Sequence, residues 1–187
     1  MTDDQRPSPK SHHDFDDLLE EIDSEASFAW DEELDADDEE EEGRPVVCFR
    51  IGQELFAVAG DAVREIVSST EITALPGAPP HVRGVTVVRR QVVGLLSLRT
   101  FLELDDSPDN RTPRRTLIVD TAHYTVGLRV DEVTGLEHWP ESRLDPSTLP
   151  DNLRPSTRRY ARGTHIQGDE VCLYLDLETL LDDAAVQ

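Results

Sequence analysis

From residue 45 onward, apolar residues fall in runs of four to seven separated by Gly, Pro or polar pairs, the texture of short strands joined by tight turns. VVCFRI (46–51) and LFAVA (55–59) flank Gly-Gln-Glu and predict a hairpin. RGVTVVRRQVVGLLSLR (83–99) predicts another, with Arg89 and Arg90 at a turn where Gly or Asn is the usual choice. TLIVD (116–120) and TVGLRV (125–130) form a third around Ala122-His123, and THIQGDEVCLYL (164–175) a fourth through Gly168-Asp169. DAVREIV (61–67) reads as a short helical turn capped by Asp61. LPGAPPHVRG (75–84) is held extended by Pro76, Pro79 and Pro80, and RTFLEL (99–104) adds one or two helical turns.

The second half repeats the order of the first. Asp61 and Asp131 lie 70 residues apart, as do Val63 and Val133. Arg83-Gly84 recurs as Arg162-Gly163, and SLRTFL (97–102) as DLETLL (176–181), each 79 residues on. An offset growing from 70 to 79 describes two copies of one unit, with nine residues added to the second linker (138–163). Five strands per copy suit a small closed barrel that removes its own edges better than an open sheet. The pattern therefore predicts an all-β fold with short helices: two barrels packed side by side, with their contact groove as the binding cleft.

Charge divides the chain near Gly43. Residues 1–44 carry nineteen acids against Arg6, Lys10 and Arg44, a net −16 out of −22, which leaves only −6 for 45–187. DEELDADDEEEE (31–42) cannot bury enough apolar area to offset its ordering entropy, so 1–44 is expected to be a disordered acidic tail. Within 14–30, Phe15, Leu18, Leu19 and Ile22 share one face at helical spacing, acids occupy the other, and Phe28 and Trp30 add bulk. Two readings stay open: a solubilising tail with a transient helix, or an amphipathic motif for a partner's groove.

Candidate chemistry adds little. Cys48 and Cys172 sit inside apolar runs without CxxC spacing and read as reduced core residues. No nucleotide, zinc-protease or nucleophile-elbow motif occurs, so no enzyme activity, cofactor or metal is expected. Asp120, Asp131 and Asp176 end strands and read as turn caps; His123, His138 and His165 lack ligand spacing, and the doublet His12-His13 is too short to hold a metal. With no apolar run near the roughly 20 residues of a membrane span and no secretion signal, a cytoplasmic protein without membrane insertion is expected.

FRIGQELFAVAGDAVREI, ALPGAPPHVRGVTVVRRQVVGLLSLRTFL, VGLRVDEV and RGTHIQGDEVCLYLDLETLL together resemble the CheW-like domains of bacterial chemotaxis coupling proteins, over roughly residues 45–183. The resemblance implies two SH3-like five-stranded barrels and a non-catalytic scaffold joining chemoreceptor cytoplasmic tips to the regulatory domain of a CheA-type histidine kinase. It carries receptor contact to Val63, Glu65, Gly84, Arg89 and Leu136, with Val63 and Leu136 as apolar anchors and Glu65 and Arg89 as orienting charges. Kinase contact falls in the neighbourhood of Thr86, Val88, Arg90 and Val93. Such a protein would meet the membrane only through receptor arrays. Where the family turn reads Asn-Leu-Arg-Gly, this chain has Val87-Val88-Arg89-Arg90, and the family's following Pro and Asp are Gly94 and Ser97. Loss of the Gly predicts a reshaped or lengthened hairpin tip.

Two further readings compete. A CheW-like module positioning an array through its acidic tail would use the same fold. A nucleic-acid-binding double barrel would use Arg154, Arg158, Arg159, Arg162 and the stacking ring of Tyr160, although the chain's acidity and its 5% aromatic content argue against it. The same arginines are an expected landing site for the acidic leader.

Overall fold

The computed structural model describes residues 43–68, 71–104 and 115–186. Ten strands are present among them: β1 (Arg44–Ile51), β2 (Glu54–Ala59), β3 (Val63–Val67), β4 (Val82–Val88), β5 (Gln91–Ser97), β6 (Arg115–Asp120), β7 (Thr125–Val130), β8 (Glu132–Trp139), β9 (Ala161–Gln167) and β10 (Glu170–Leu175). Three short helices accompany them: α1 (Leu98–Phe101), α2 (Pro155–Arg158) and α3 (Leu177–Val186). The leader and its amphipathic 14–30 motif lie outside the described residues.

The strands form two five-stranded sheets, ordered β8-β1-β2-β10-β9 and β3-β6-β7-β5-β4. The two orders are one pattern, with β1-β2 and β6-β7 in equivalent places. Both contain one parallel neighbour pair, β2 with β10 and β7 with β5. The expectation that each sequence copy closes its own barrel is corrected: the copies exchange hairpins. The β1-β2 hairpin of the first copy completes the barrel of the second, and β6-β7 completes that of the first. A swapped hairpin meets the same kind of neighbours as an unswapped one, so the hydrophobic pattern is indifferent to the exchange.

DAVREIV is also corrected. Only Gly60–Ala62 turns, as a 3-10 helix without a side-chain cap, and Val63–Val67 runs as a strand against β6. β-branched Val63, Ile66 and Val67 favour a pleated, half-buried surface, and the ladder to β6 satisfies their backbone. The equivalent DEVTGL enters β8 for the same reason. Of the predicted aspartate caps, Asp176 caps α3, accepting from the Thr179 amide at 3.1 Å. Asp131 instead accepts from the Gly52 amide at 2.7 Å and pairs with Arg99, bolting the β1-β2 turn to α1.

Each sheet curls until its edges meet through side chains. Between β8 and β9, Gln167 bonds Glu137, and the rings of Trp139 and His165 stand 4.9 Å apart. In the other barrel, Glu65 of β3 reaches Arg89 at the β4-β5 turn at 2.8 Å, and Val67, Val88, Val93 and Ile118 pack behind them. The repeated Arg-Gly pair now has a physical reason. A Cβ on Gly84 would stand 2.2 Å from the Thr73 carbonyl, and one on Gly163 2.2 Å from that of Arg143, so in both barrels an incoming segment crosses bare backbone.

The seam is not empty. Val47, Phe49, Phe56 and Val58 of one sheet share a single core with Leu117, Val119, Leu128 and Val130 of the other, closed by Leu98, Phe101, Tyr160, Leu177 and Leu180. Among the described residues the interior of the seam is therefore filled, and a groove lies at its outer mouth. Cys48 and Cys172 are free and buried in a smaller cluster around Trp139. The adjoining Cys172 thiol and burial push the Cys48 thiol far above its ordinary pKa, so it packs as a small apolar side chain.

Candidate functional site

The β4-β5 hairpin keeps a two-residue turn, with Val88 opposite Gln91, so of the expected reshaped or lengthened tip, the lengthening is corrected. Arg89 and Arg90 occupy the left-handed region, at φ 45° and 69°. Such a conformation costs about 1–2 kcal/mol for each residue bearing a Cβ. The Arg89–Glu65 bond joins a guanidinium that is 74% exposed to a buried carboxylate, which ties the strained turn to β3. The strained turn holds two guanidinium groups outward at the end of a rigid hairpin.

Strand alternation decides what stands beside them. Thr86, Val88 and Val93, expected at the kinase face, point into the barrel and are buried. The cross-strand pair Val87 and Val92 points outward, 68% and 71% exposed. These two were missed, although the period of two available in the sequence assigns them to the outer face once the turn is fixed at two residues. The second barrel carries the equivalent pair 79 residues on: Ile166 and Val171 face each other across β9-β10, 64% and 44% exposed.

Among the receptor-side candidates, Val63 and Gly84 are buried, Leu136 is half-buried against the main core and only Arg89 is exposed. Val63 therefore supports the surface from beneath, and Gly84 admits the Thr73 crossing. Glu65 is buried, yet its Oε1 has no hydrogen bond, and Arg64 Nε stands 3.7 Å from it. The site thus joins Glu65 and Arg89 directly, while Leu136 lies on β8 in the other sheet.

At the mouth of the seam lies a groove of about 570 Å³. Arg44, Tyr174 and Arg162 line it from one barrel, Asp120 and Thr121 from the other, and Asp61 from the link between β2 and β3. Burial raises the Tyr174 pKa against the pull of Arg44, so its hydroxyl is a neutral donor at the groove wall. Arg44 has its own pKa raised chiefly by that hydroxyl, against burial, with Glu141 adding to the rise. Asp176 is held below its usual value: burial opposes ionisation, but the Thr179 hydroxyl and amide and the Arg162 guanidinium outweigh it. Fixed charges of both signs and one neutral hydroxyl suit a polar helix surface better than a small apolar ligand. The groove's walls come from segments far apart in the chain, which is why no sequence motif announced it.

The nucleic-acid constellation dissolves in the structure. Tyr160 is buried, with its hydroxyl on Asp183 at 3.1 Å, so it offers no stacking face. Arg159 pairs with Asp183 at 2.8 Å, Arg162 with Asp176 at 3.1 Å, and Arg154 and Arg158 bond the Glu103 and Pro150 carbonyls. Those arginines pin the linker down, and the leader expected to land on them lies outside the described residues. Among the described residues no group of three or more His, Cys, Asp or Glu is placed to hold a metal, and no helix is long and apolar enough to cross a membrane.

Two exchanged barrels of ten strands, bearing a charged groove and two exposed hairpin faces, define a double-barrel β class. The chain belongs to the CheW-like domain family, whose model matches residues 45–185. It is 36% identical over 94 residues to Protein PilI of Pseudomonas aeruginosa, covering 50% of this chain and 52% of that protein, so it spans about half of that relative's length. It is 33% identical over 133 residues to the chemotaxis protein CheW of Rhizobium meliloti, covering 70% and 83% of the two. The fold is shared with the scaffolding protein TtCheW from Thermoanaerobacter tengcongensis, at a TM-score of 0.64 and 21% identity over 74% of this chain and 92% of that one.

Proposed function

We propose that the chain is a non-catalytic adaptor that holds a CheA-type histidine kinase, through its regulatory domain, against the cytoplasmic tip of chemoreceptors in a chemotaxis-type signalling system. It acts by geometry alone: two faces on one rigid body fix two partners at a set separation. In this reading it works in the cytoplasm and reaches the membrane only through receptor arrays.

The observation that carries the reading is the outward pair Val87 and Val92, a small apolar centre flanked by Arg89 and Arg90, on a hairpin fixed at both ends. Interfaces draw most of their energy from a few such anchors within a polar rim. This face is assigned to the kinase, in place of the buried Thr86, Val88 and Val93. The receptor helix is assigned to the neighbouring surface of Arg89 and the groove, with the buried Glu65 holding Arg89 in place from beneath.

A pull-down of the full chain with a CheA-type regulatory domain and with a receptor cytoplasmic fragment, run beside retardation of single-stranded oligonucleotides, tests the reading. Retention of both proteins with no oligonucleotide shift is expected. Oligonucleotide binding without protein retention would overturn it.

A further inference from the structure

Besides any partner, the Val87–Val92 face has a candidate occupant in the chain itself. Its outer surface combines the two exposed valines with Arg83, Arg89 and Arg90, all exposed. Arg83 and Arg90 have no carboxylate partner among the described residues. An apolar strip flanked by unpaired cations is the complement of an acidic segment with one apolar face. Residues 14–30 supply one: Phe15, Leu18, Leu19, Ile22, Phe28 and Trp30 among seven acids and no Lys or Arg.

The tether has the reach. The described chain begins at Gly43, against Trp139, and Arg44 lines the groove that Asp120 also lines. Asp120 pairs with Arg64 at 3.5 Å, Arg64 with Glu65 at 3.7 Å, and Glu65 with Arg89 at 2.8 Å. The leader's attachment point thus borders the groove whose opposite wall, Asp120, leads through Arg64 and Glu65 to Arg89 at the hairpin tip. The thirteen steps from Trp30 to Gly43 span up to roughly 43 Å at the extended-chain rise. Tethering at this length gives an effective concentration in the millimolar range, so even an intrinsic dissociation constant of about 0.1 mM leaves the segment mostly bound. The pair Ile166–Val171 makes an internal comparison, since its hairpin tip carries Gly168 and Asp169 where this one carries Arg89 and Arg90.

We propose that residues 14–30 dock on the outer face of the β4-β5 hairpin, their apolar side on Val87 and Val92 and their carboxylates toward Arg83, Arg89 and Arg90. The leader is then an intramolecular cover. If the same face takes the kinase, as proposed above, leader and kinase compete for it; the docking itself does not rest on that reading.

Trp30 reports the contact in the full chain without any partner, because the other tryptophan, Trp139, is buried away from a soluble quencher. At low salt, Trp30 is expected to be quenched by acrylamide about threefold less than in a synthetic peptide of residues 14–43, independent of protein concentration and relieved by about 0.5 M salt, where the screening length shrinks to a few ångströms. Arg90→Glu with Val92→Asp should restore peptide-like quenching. So should Leu18→Asp with Ile22→Asp, which leaves the folded part untouched. Ile166→Asp should change nothing. The proposal is overturned by peptide-like quenching in the unaltered chain, by protection that grows with protein concentration, by protection that survives both double variants, or by release through Ile166→Asp.

Discussion

At the residue scale, the strained turn makes the sharpest statement. Arg90 pays for its left-handed backbone with no carboxylate partner among the described residues. Arg90→Gly should therefore stabilise the protein by about 1 kcal/mol, a rise in melting temperature of about 3 °C for a chain of this size. A lower melting temperature would mean that the guanidinium contributes a contact this account lacks. Gly84→Ala and Gly163→Ala should each cost about 2 kcal/mol or more, since the new methyl meets backbone at 2.2 Å, while Gly94→Ala meets nothing within 4 Å and should be nearly neutral. Asp176 gives a pH signature. Its folded pKa is depressed, so the native state binds fewer protons than the unfolded one there, and the associated stability is full above about pH 4 and lost as pH falls through the folded value. Asp176→Asn keeps a capping oxygen but loses the charge that faces Arg162 and the helix N-terminus, so it should cost about 0.5–1 kcal/mol at neutral pH, and its melting curve should converge on that of the unaltered chain in acid.

Among the elements, the hairpins were legible and their partners were not. Alternation of apolar and polar residues, with Gly-Gln, Arg-Arg and Gly-Asp between the runs, located β1-β2, β4-β5 and β9-β10 to within a residue or two. It could not say which sheet each joined, because both sheets present the same neighbours. DAVREIV was misread because Asp61 before an apolar stretch resembles a helix cap, whereas the ladder to β6 wins for β-branched Val63, Ile66 and Val67. The family resemblance named the neighbourhood of Thr86, Val88, Arg90 and Val93 without assigning strand faces, and alternation buries Thr86, Val88 and Val93 while turning Val87 and Val92 outward. The Arg-Gly repeat was visible at its 79-residue offset, but its reason, a crossing segment contacting bare backbone, exists only in three dimensions.

For the whole molecule, hairpin exchange means that neither half owns a barrel. Residues 1–104 and 115–187, produced separately, should each lack a cooperative thermal transition by circular dichroism and recover one when mixed in equal amounts. A half that melts cooperatively alone would contradict the exchange. The single core running through the seam also makes the two proposed docking faces parts of one frame, which an adaptor that transmits position requires. The central claim is that the outward face of the β4-β5 hairpin is a protein-docking surface for a CheA-type kinase. Calorimetric titration of the full chain with that kinase's regulatory domain tests it most directly: the unaltered chain should bind, and Val87→Asp with Val92→Asp should weaken binding at least about tenfold while leaving the melting temperature within a few degrees. Undiminished affinity in the folded double variant would contradict it.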